Sequence, residues 1–158
     1  MARVPQDTEN RISYKFRARL ITIIAERDMS KETFAAAAHV NKEIITRATV
    51  YGIVPSIRSL IKIADFLNCS IPYLLGETDD NSFDAAKAPS DFHSRLEELK
   101  REREVRDCDI LKAMSCPANS FAEWRRNKSI PSLQYLQQIA TFFKVTIDYL
   151  LGRTDFRT

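Results

Sequence analysis

Hydrophobic residues recur along most of the chain at intervals of three or four positions. This spacing is typical of one buried face of an α-helix. One such stripe is Ile57, Leu60, Ala64 and Leu67. A second stripe, with the same spacing, is Leu133, Leu136, Ala140 and Phe143. The pattern predicts an all-α protein.

The two stripes belong to an internal repeat. The stretch "SIPYLLGETD" at 70–79 returns as "TIDYLLGRTD" at 146–155. Residues 14–79 align without a gap onto 90–155, and 19 of these 66 positions are identical. Two copies indicate duplication of one small domain. The predicted organisation is a tail (1–13), a first domain (14–79), a polar linker (80–90) and a second domain (91–158).

Each copy is predicted to contain five short helices. In the first copy they span 15–28, 31–38, 42–49, 56–67 and 71–75. In the second copy they span 91–104, 107–114, 118–126, 132–143 and 147–151. Ser56 and Ser132 are the expected N-caps of the fourth helices. Gly76 and Gly152 are expected to end the fifth.

Composition excludes several classes of protein. Apolar residues make up 44% and charged residues 28%, and the net charge is only +3, the balance of a soluble globular protein. The chain has no apolar stretch of membrane-spanning length. Its three cysteines lack metal-binding spacing, which favours a reducing cytoplasm. We find no catalytic constellation, so we expect no enzyme activity, cofactor, metal or small-molecule substrate.

The segment from Trp124 to Asp155, "WRRNKSIPSLQYLQQIATFFKVTIDYLLGRTD", carries a specific resemblance. Just before it, the predicted second and third helices are separated by only three residues, Ser115 to Pro117; the first copy has a similarly short gap, His39 to Asn41. The second copy closely resembles the phage-repressor (Cro, lambda-repressor, XRE-type) helix-turn-helix family, and the first copy resembles it more weakly. The resemblance implies two tandem five-helix lambda-repressor-like helix-turn-helix domains.

Members of that family lay the third helix in the DNA major groove. The candidate DNA-binding residues therefore lie on or beside the third helix, or at the start of the second. In the first copy they are Lys31, Asn41, Lys42, Thr46 and Arg47. In the second copy they are Ala118, Asn119, Ala122, Arg125, Arg126, Lys128 and Ser129. Amide and guanidinium groups suit base edges, methyl groups suit thymine, and lysine and serine suit phosphates.

The helix-turn-helix sequences depart from the family at informative positions. Asp107 replaces a glutamine that holds a phosphate and is expected to repel one. His39 and Ser115 replace the turn glycine, so each must tolerate its backbone geometry or shift the turn. The run Val50–Val54 is apolar where a phosphate-facing loop is expected. It either folds into its own core or forms a homodimer contact through Tyr51 and Ile53.

The sequence thus predicts a cytoplasmic, sequence-specific double-stranded DNA-binding transcriptional regulator, acting as a repressor and as a homodimer. We expect the second copy to be the stronger DNA reader, because Arg125, Arg126 and Lys128 lie together. The alternative is a protein-interaction module of the same fold, an antitoxin or phage-regulator partner, with weak or no DNA binding. Asp107, Glu123 and Glu43 favour this alternative. Arg125, Arg126 and Lys128 disfavour it.

Overall fold

A computed structural model describes residues 11–88 and 90–158, and within them the chain is all-α, with ten helices and no strand. The helices fall into two compact units, one ending at Phe83 and the other beginning at Asp84. The helices of the first unit are α1 (Tyr14–Glu26), α2 (Lys31–Ala37), α3 (Lys42–Tyr51), α4 (Ile57–Leu67) and α5 (Ile71–Leu74). Those of the second are α6 (Phe92–Arg103), α7 (Asp107–Lys112), α8 (Ser120–Asn127), α9 (Leu133–Phe143) and α10 (Ile147–Leu150).

The predicted linker is partly built into the second unit. Thr154 Oγ1 donates a hydrogen bond to the Asp84 carbonyl oxygen at 2.7 Å. The Ala86 amide donates to the Arg153 carbonyl oxygen at 2.9 Å. Residues 84–86 are therefore held by the end of the second unit, and the unit boundary lies inside the 80–90 segment.

The apolar stripes form the two cores. In the first unit Phe16, Phe34, Ile45, Leu60 and Leu74 are fully buried. Leu67 and Leu133, the outermost members of the stripes, are only half-buried. The second core contains Leu99, Ile110, Leu136, Ile139 and Phe143.

Serine side chains begin several helices. Ser13, Ser30 and Ser70 each accept a hydrogen bond from the backbone amide three residues later, which satisfies one of the free donors at a helix start. Ser56 makes the same contact more weakly, at 3.5 Å. Ser132 occupies the N-cap position of α9 without a side-chain hydrogen bond. The cap prediction is therefore confirmed for Ser56, whereas Ser132 contributes only its backbone conformation.

The repeated stretch, residues 70–79 in the first unit and 146–155 in the second, contacts the first helix of its own unit. The Arg19 guanidinium lies 4.2 Å from the centre of the Tyr73 ring and bonds to Asp79 at 2.7 Å. We call these three residues the first clamp. The second clamp repeats the arrangement: Arg95 lies 4.2 Å from the centre of the Tyr149 ring and bonds to Asp155 at 3.2 Å.

Glycine is required at the end of both short helices. Gly76 and Gly152 have φ angles of +74° and +76°, in the left-handed region that side chains disfavour. A Cβ atom on Gly76 would lie 2.7 Å from the Lys15 carbonyl oxygen, and one on Gly152 would collide with the Ser90 carbonyl oxygen. Both glycines therefore end a helix and let the start of the unit approach it.

The connection between α7 and α8 differs from the prediction. We expected helices at 107–114 and 118–126, but α7 ends at Lys112 and α8 begins at Ser120. The tight turn expected in the second unit is therefore wrong, because residues 113–119 separate its helices. Residues 118 and 119 form a turn instead, in which the Ser120 amide donates to the Pro117 carbonyl oxygen at 3.1 Å, and Asn119 is the N-cap of α8.

The first unit does have a short turn between α2 and α3, over residues 38–41. His39 adopts a φ of +58° there and so takes the geometry of the missing glycine. Ser115, its counterpart, is not among the described residues with positive φ. One copy thus tolerates the substitution and the other shifts the turn.

Replacing Gly152 with Ala should destabilise the second unit, because the new Cβ adds both left-handed strain and a clash with backbone. We expect a loss of about 2–4 kcal/mol in the free energy of unfolding. Trp124, the sole tryptophan of the sequence, reports this unfolding in denaturant.

Lys144 is the matched control, since it has a φ of +57° and an exposed side chain. Lys144→Gly removes left-handed strain and should change stability by about 1 kcal/mol or less. Equal effects of the two substitutions would contradict the close-approach argument.

Candidate nucleic-acid interface

The third helix of the first unit, α3, has one buried apolar face and one exposed polar face. Ile45 and Ala48 are completely buried, as the sequence predicts. Lys42, Glu43 and Arg47 are exposed and Thr46 is half-buried. The Asn41 side chain is not free, because its Oδ1 accepts from the Glu43 amide at 3.0 Å and caps α3. An Asn41 contact to a base would therefore cost this cap.

Charges on this face are only loosely tied. Lys42 bonds to Glu32 on α2, and this hydrogen bond, with the lysine charge, lowers the pKa of Glu32. Arg47 lies 3.9 Å from Glu43 in an exposed pair one helical turn apart, an interaction of small energy. Lys31 is the first residue of α2 and is exposed. The face can exchange these exposed contacts for contacts to a polyanion at little cost.

The third helix of the second unit presents fewer candidates than predicted. Ala118 and Asn119 lie before α8 rather than on it, which corrects their expected place on a helix face. Asn119 Nδ2 donates to Glu123 Oε1 at 3.2 Å. Ala122 and Arg126 do lie on α8 and are exposed.

The loop after α8 contains the remaining candidates. Lys128 is exposed and adopts a left-handed backbone with a φ of +50°. Ser129 is half-buried, and its carbonyl oxygen lies 3.1 Å from His93 Nε2. Because a carbonyl oxygen only accepts, His93 donates from Nε2. This hydrogen bond ties the Ser129 backbone to α6, the helix that contains His93.

Arg125 belongs to an internal charge network that sequence reasoning missed. We define the charge network as Glu97, Lys100, Asp107 and Arg125. Asp107 bonds to Lys100 at 2.6 Å and to Arg125 at 2.9 Å. Glu97 lies farther from the same cations, at 3.3 and 3.6 Å. The sequence did contain a signal for this network: Asp107 begins one predicted helix, and the cations Lys100 and Arg125 lie on the helices before and after it.

The charge network fixes the ionisation of its members. Burial alone would raise the pKa of Asp107, but hydrogen bonds and charge from Lys100 and Arg125 lower it overall. The hydrogen bond to Asp107 is the main cause that raises the pKa of Arg125. Asp107 is therefore a neutralised brace between helices, which changes the expectation that it would repel phosphate.

A pocket of about 360 Å³ lies beside the charge network in the second unit. Its apolar wall consists of Phe92, Leu96, Phe121 and Trp124. The charge network and His93 form the remaining wall. We call this the aromatic pocket.

Apolar side chains are exposed around the end of α3. Ile12 pairs with Ile53 in an isolated antiparallel bridge, so the start of α1 lies beside the end of α3. Tyr14 is 75% exposed and Tyr51 62% exposed, and Ile12 and Val50 are also exposed. We call these four residues the apolar patch. Of the two predicted interface residues, Tyr51 belongs to it, whereas Ile53 is half-buried.

No family model, curated protein or solved structure matches the chain. Among the described residues, none of the helices is long and apolar enough to cross a membrane. Within the same ranges, no group of three or more His, Cys, Asp or Glu side chains could hold a metal ion.

The charge network should stabilise the second unit in a pH-dependent way. In a double-mutant cycle of Asp107→Asn and Arg125→Gln, we expect a coupling energy of about 1 kcal/mol at neutral pH. A carboxylate with a lowered folded pKa contributes stability that is present above its unfolded pKa, about 3.9, and lost as pH falls through the folded value. The coupling should therefore begin to decline as pH falls below about 4 and disappear only when the pH is below the lowered folded pKa of Asp107.

Urea unfolding monitored by Trp124 fluorescence measures each corner of the cycle. A coupling of zero at neutral pH, or one that persists unchanged into acid, would show that the ion pair contributes no stability.

Proposed function

We propose that the protein is a sequence-specific double-stranded DNA-binding transcriptional regulator, acting as a repressor in the cytoplasm. In this proposal the two units are lambda-repressor-like helix-turn-helix domains. The proposal rests mainly on the two faces of α3. Its inner face is buried and apolar, and its outer face exposes polar side chains whose ion pairs are weak. A short turn joins it to α2, whose first residue is a lysine.

The chemistry of α3 suits the major groove. Arg47 has a planar fork of donors that matches the O6 and N7 acceptors of guanine. Thr46 offers both a hydroxyl group and a methyl group that could touch thymine. Lys31 and Lys42 supply cations for phosphates on either side. Base-reading and phosphate-binding groups thus occur on the same pair of helices.

The structure favours the first unit as the stronger DNA reader, which reverses the sequence-based ranking. That ranking counted Arg125, Arg126 and Lys128 together. Arg125 is held by the charge network, and Asn119 lies before α8. Arg126, Lys128 and Ala122 remain as candidates in the second unit, and we assign them to supporting phosphate and groove contacts.

The apolar patch favours a protein partner, and we propose a second copy of this chain. Tyr14 and Tyr51 expose large rings at the surface, and such clusters on soluble proteins commonly mark interfaces. Repressors with two-fold symmetry present two reading helices to a palindromic site. The same patch is also the observation that favours the second candidate function, a protein-interaction module that binds another protein in place of DNA.

DNA binding is tested by selecting bound sequences from a random duplex pool with the full chain. Affinity for the selected site should fall by about 100-fold or more between about 50 and about 200 mM salt, because phosphate contacts release counterions. Arg47→Ala should cost about 1–3 kcal/mol and blur one position of the motif. Lys31→Ala should weaken binding to all sequences about equally.

Lys62→Ala is the matched control, since it removes one exposed positive charge from α4 instead. A salt-independent affinity, or equal losses from Arg47→Ala and Lys62→Ala, would reject the assignment of α3. If the protein binds no DNA duplex even at low salt, DNA binding is rejected altogether and the protein-interaction candidate is left.

The homodimer is tested by replacing both Val50 and Tyr51 with Ser. We chose Val50 over Ile53 because a half-buried Ile53 also supports the fold. The substitutions remove apolar contact area, so the sedimentation coefficient should shift toward that of a monomer. Phe156→Ser, which alters a 59% exposed ring in the second unit, should leave the mass unchanged. A wild type that is already monomeric at high concentration would rule the homodimer out.

A further inference from the structure

The aromatic pocket lies in the second unit, and the sequence shows which residues around it differ from those of the first unit. Trp124 and Arg125 occupy the positions that Ala48 and Thr49 occupy in the first copy. Ala48 is fully buried and Thr49 bonds back to its own helix. Arg17 on α1 donates directly to the Thr49 carbonyl oxygen at 3.0 Å. Small residues thus let α1 and α3 close on each other.

The larger residues of the second unit do not seal the same space. Trp124 is only half-buried, packed against Phe121 and Tyr135 at ring-centre distances of 5.1 and 5.8 Å. The pocket of about 360 Å³ remains beside it. Burying a tryptophan incompletely forgoes part of its large hydrophobic contribution. An aromatic ligand in the pocket would recover that contribution.

The polar side of the pocket contains two carboxylates, Glu97 and Asp107, and two cations, Lys100 and Arg125, and Arg125 is the cation that can bind a further anion. Lys100 is 14% exposed and is neutralised by Asp107 at 2.6 Å. Arg125 is 51% exposed, and its contacts to Asp107 and Glu97 both run through Nη2. A guanidinium has five N–H donors in a planar fork, so Arg125 has further donors for a bidentate carboxylate.

We propose that the aromatic pocket is a binding site for a small aromatic carboxylate. The ring of the ligand contacts Phe92, Phe121 and Trp124, and its carboxylate binds Arg125. The volume is at the lower end of small-molecule sites, which suits one or two rings with a short acid arm. This proposal does not depend on DNA binding and is tested without DNA.

Occupation of the site links three helices of the second unit. Arg125 and Trp124 lie on α8, Phe92 lies on α6, and Asp107 begins α7. A ligand that binds only the folded unit stabilises it in proportion to the logarithm of ligand concentration. The ligand therefore stabilises the packing of α6 against α8, and it reaches α7 only through the ion pair of Arg125 with Asp107.

The probe for the experiment is 3-phenylpropanoate, titrated into the full chain while Trp124 fluorescence is recorded. The sequence has a single tryptophan, so a saturable change places the ligand at the pocket. A molecule of this size should bind with a Kd of about 1 mM or tighter. The neutral 3-phenylpropanamide and the cationic 3-phenylpropylamine are the matched ligands.

We expect the carboxylate to bind at least about 10-fold more tightly than the amide or the amine, because a hydrogen bond to a charged group is lost. Arg125→Gln should lower the affinity for 3-phenylpropanoate by about 10-fold or more. Arg126→Gln, a substitution of the next residue on the same helix, should leave its affinity unchanged.

Circular dichroism distinguishes lost binding from lost folding in Arg125→Gln, and the comparison of ligands on the wild type needs no variant. Equal affinities for the three ligands, or tighter binding of the amine, would overturn the anion assignment. Absence of a saturable signal with 3-phenylpropanoate up to about 10 mM would overturn the site.

Discussion

The contact on which each unit depends is an arginine from its first helix stacked on a tyrosine of its last. In both clamps the guanidinium is 4.2 Å from the ring centre. It is also bonded to the last residue of the repeated stretch, which is Asp79 in the first unit and Asp155 in the second. A cation held between a ring and a carboxylate is worth more when it is shielded from water, and Arg95 is buried. The clamps close the ends of a small chain segment whose core alone would be modest. The glycine between tyrosine and aspartate makes this possible, because only glycine allows the first helix to approach so closely.

Duplication preserved backbone shape more faithfully than residue type. Asp28 and Glu104 follow the first helices with φ angles of +52° and +53°, and Asn68 and Lys144 follow the fourth with +52° and +57°. Gly52 and Lys128 end the third helices with φ angles of +72° and +50°. Each of these residues lies at the C-terminal end of a helix, where a left-handed residue lets backbone amides bond to the last carbonyl groups, so the two copies end their helices in the same way. His39 lacks a counterpart among the described residues of the second copy, which is where the two units differ in structure.

Periodicity and repetition were sufficient to predict the helices, because both depend on local spacing. The pattern placed Ile45 and Ala48 inward and Lys42 and Arg47 outward, as the structure shows. It failed at the start of α8. The turn closed by Pro117 and Ser120 leaves Asn119 as the N-cap of α8, although alignment to the first copy had placed Asn119 on the helix. Charge pairing was also missed, since Asp107 and Arg125 are 18 positions apart in the sequence and meet only after the helices pack.

The charge network explains why the two third helices differ in what they can do. In the first copy, small residues on α3 pack against α1, and the cations of α3 remain on the surface. In the second copy, Arg125 is drawn toward Asp107, and a tryptophan stands where alanine stood. Withdrawing Arg125 would cost energy, because the half-buried Asp107 would be left with Lys100 as its remaining cation. Arg125 and Trp124, which hold the ion pair to Asp107 and the half-buried ring, also line the aromatic pocket. The two units therefore differ at aligned positions: α3 keeps its cations on the surface, whereas α8 lies beside a pocket of about 360 Å³.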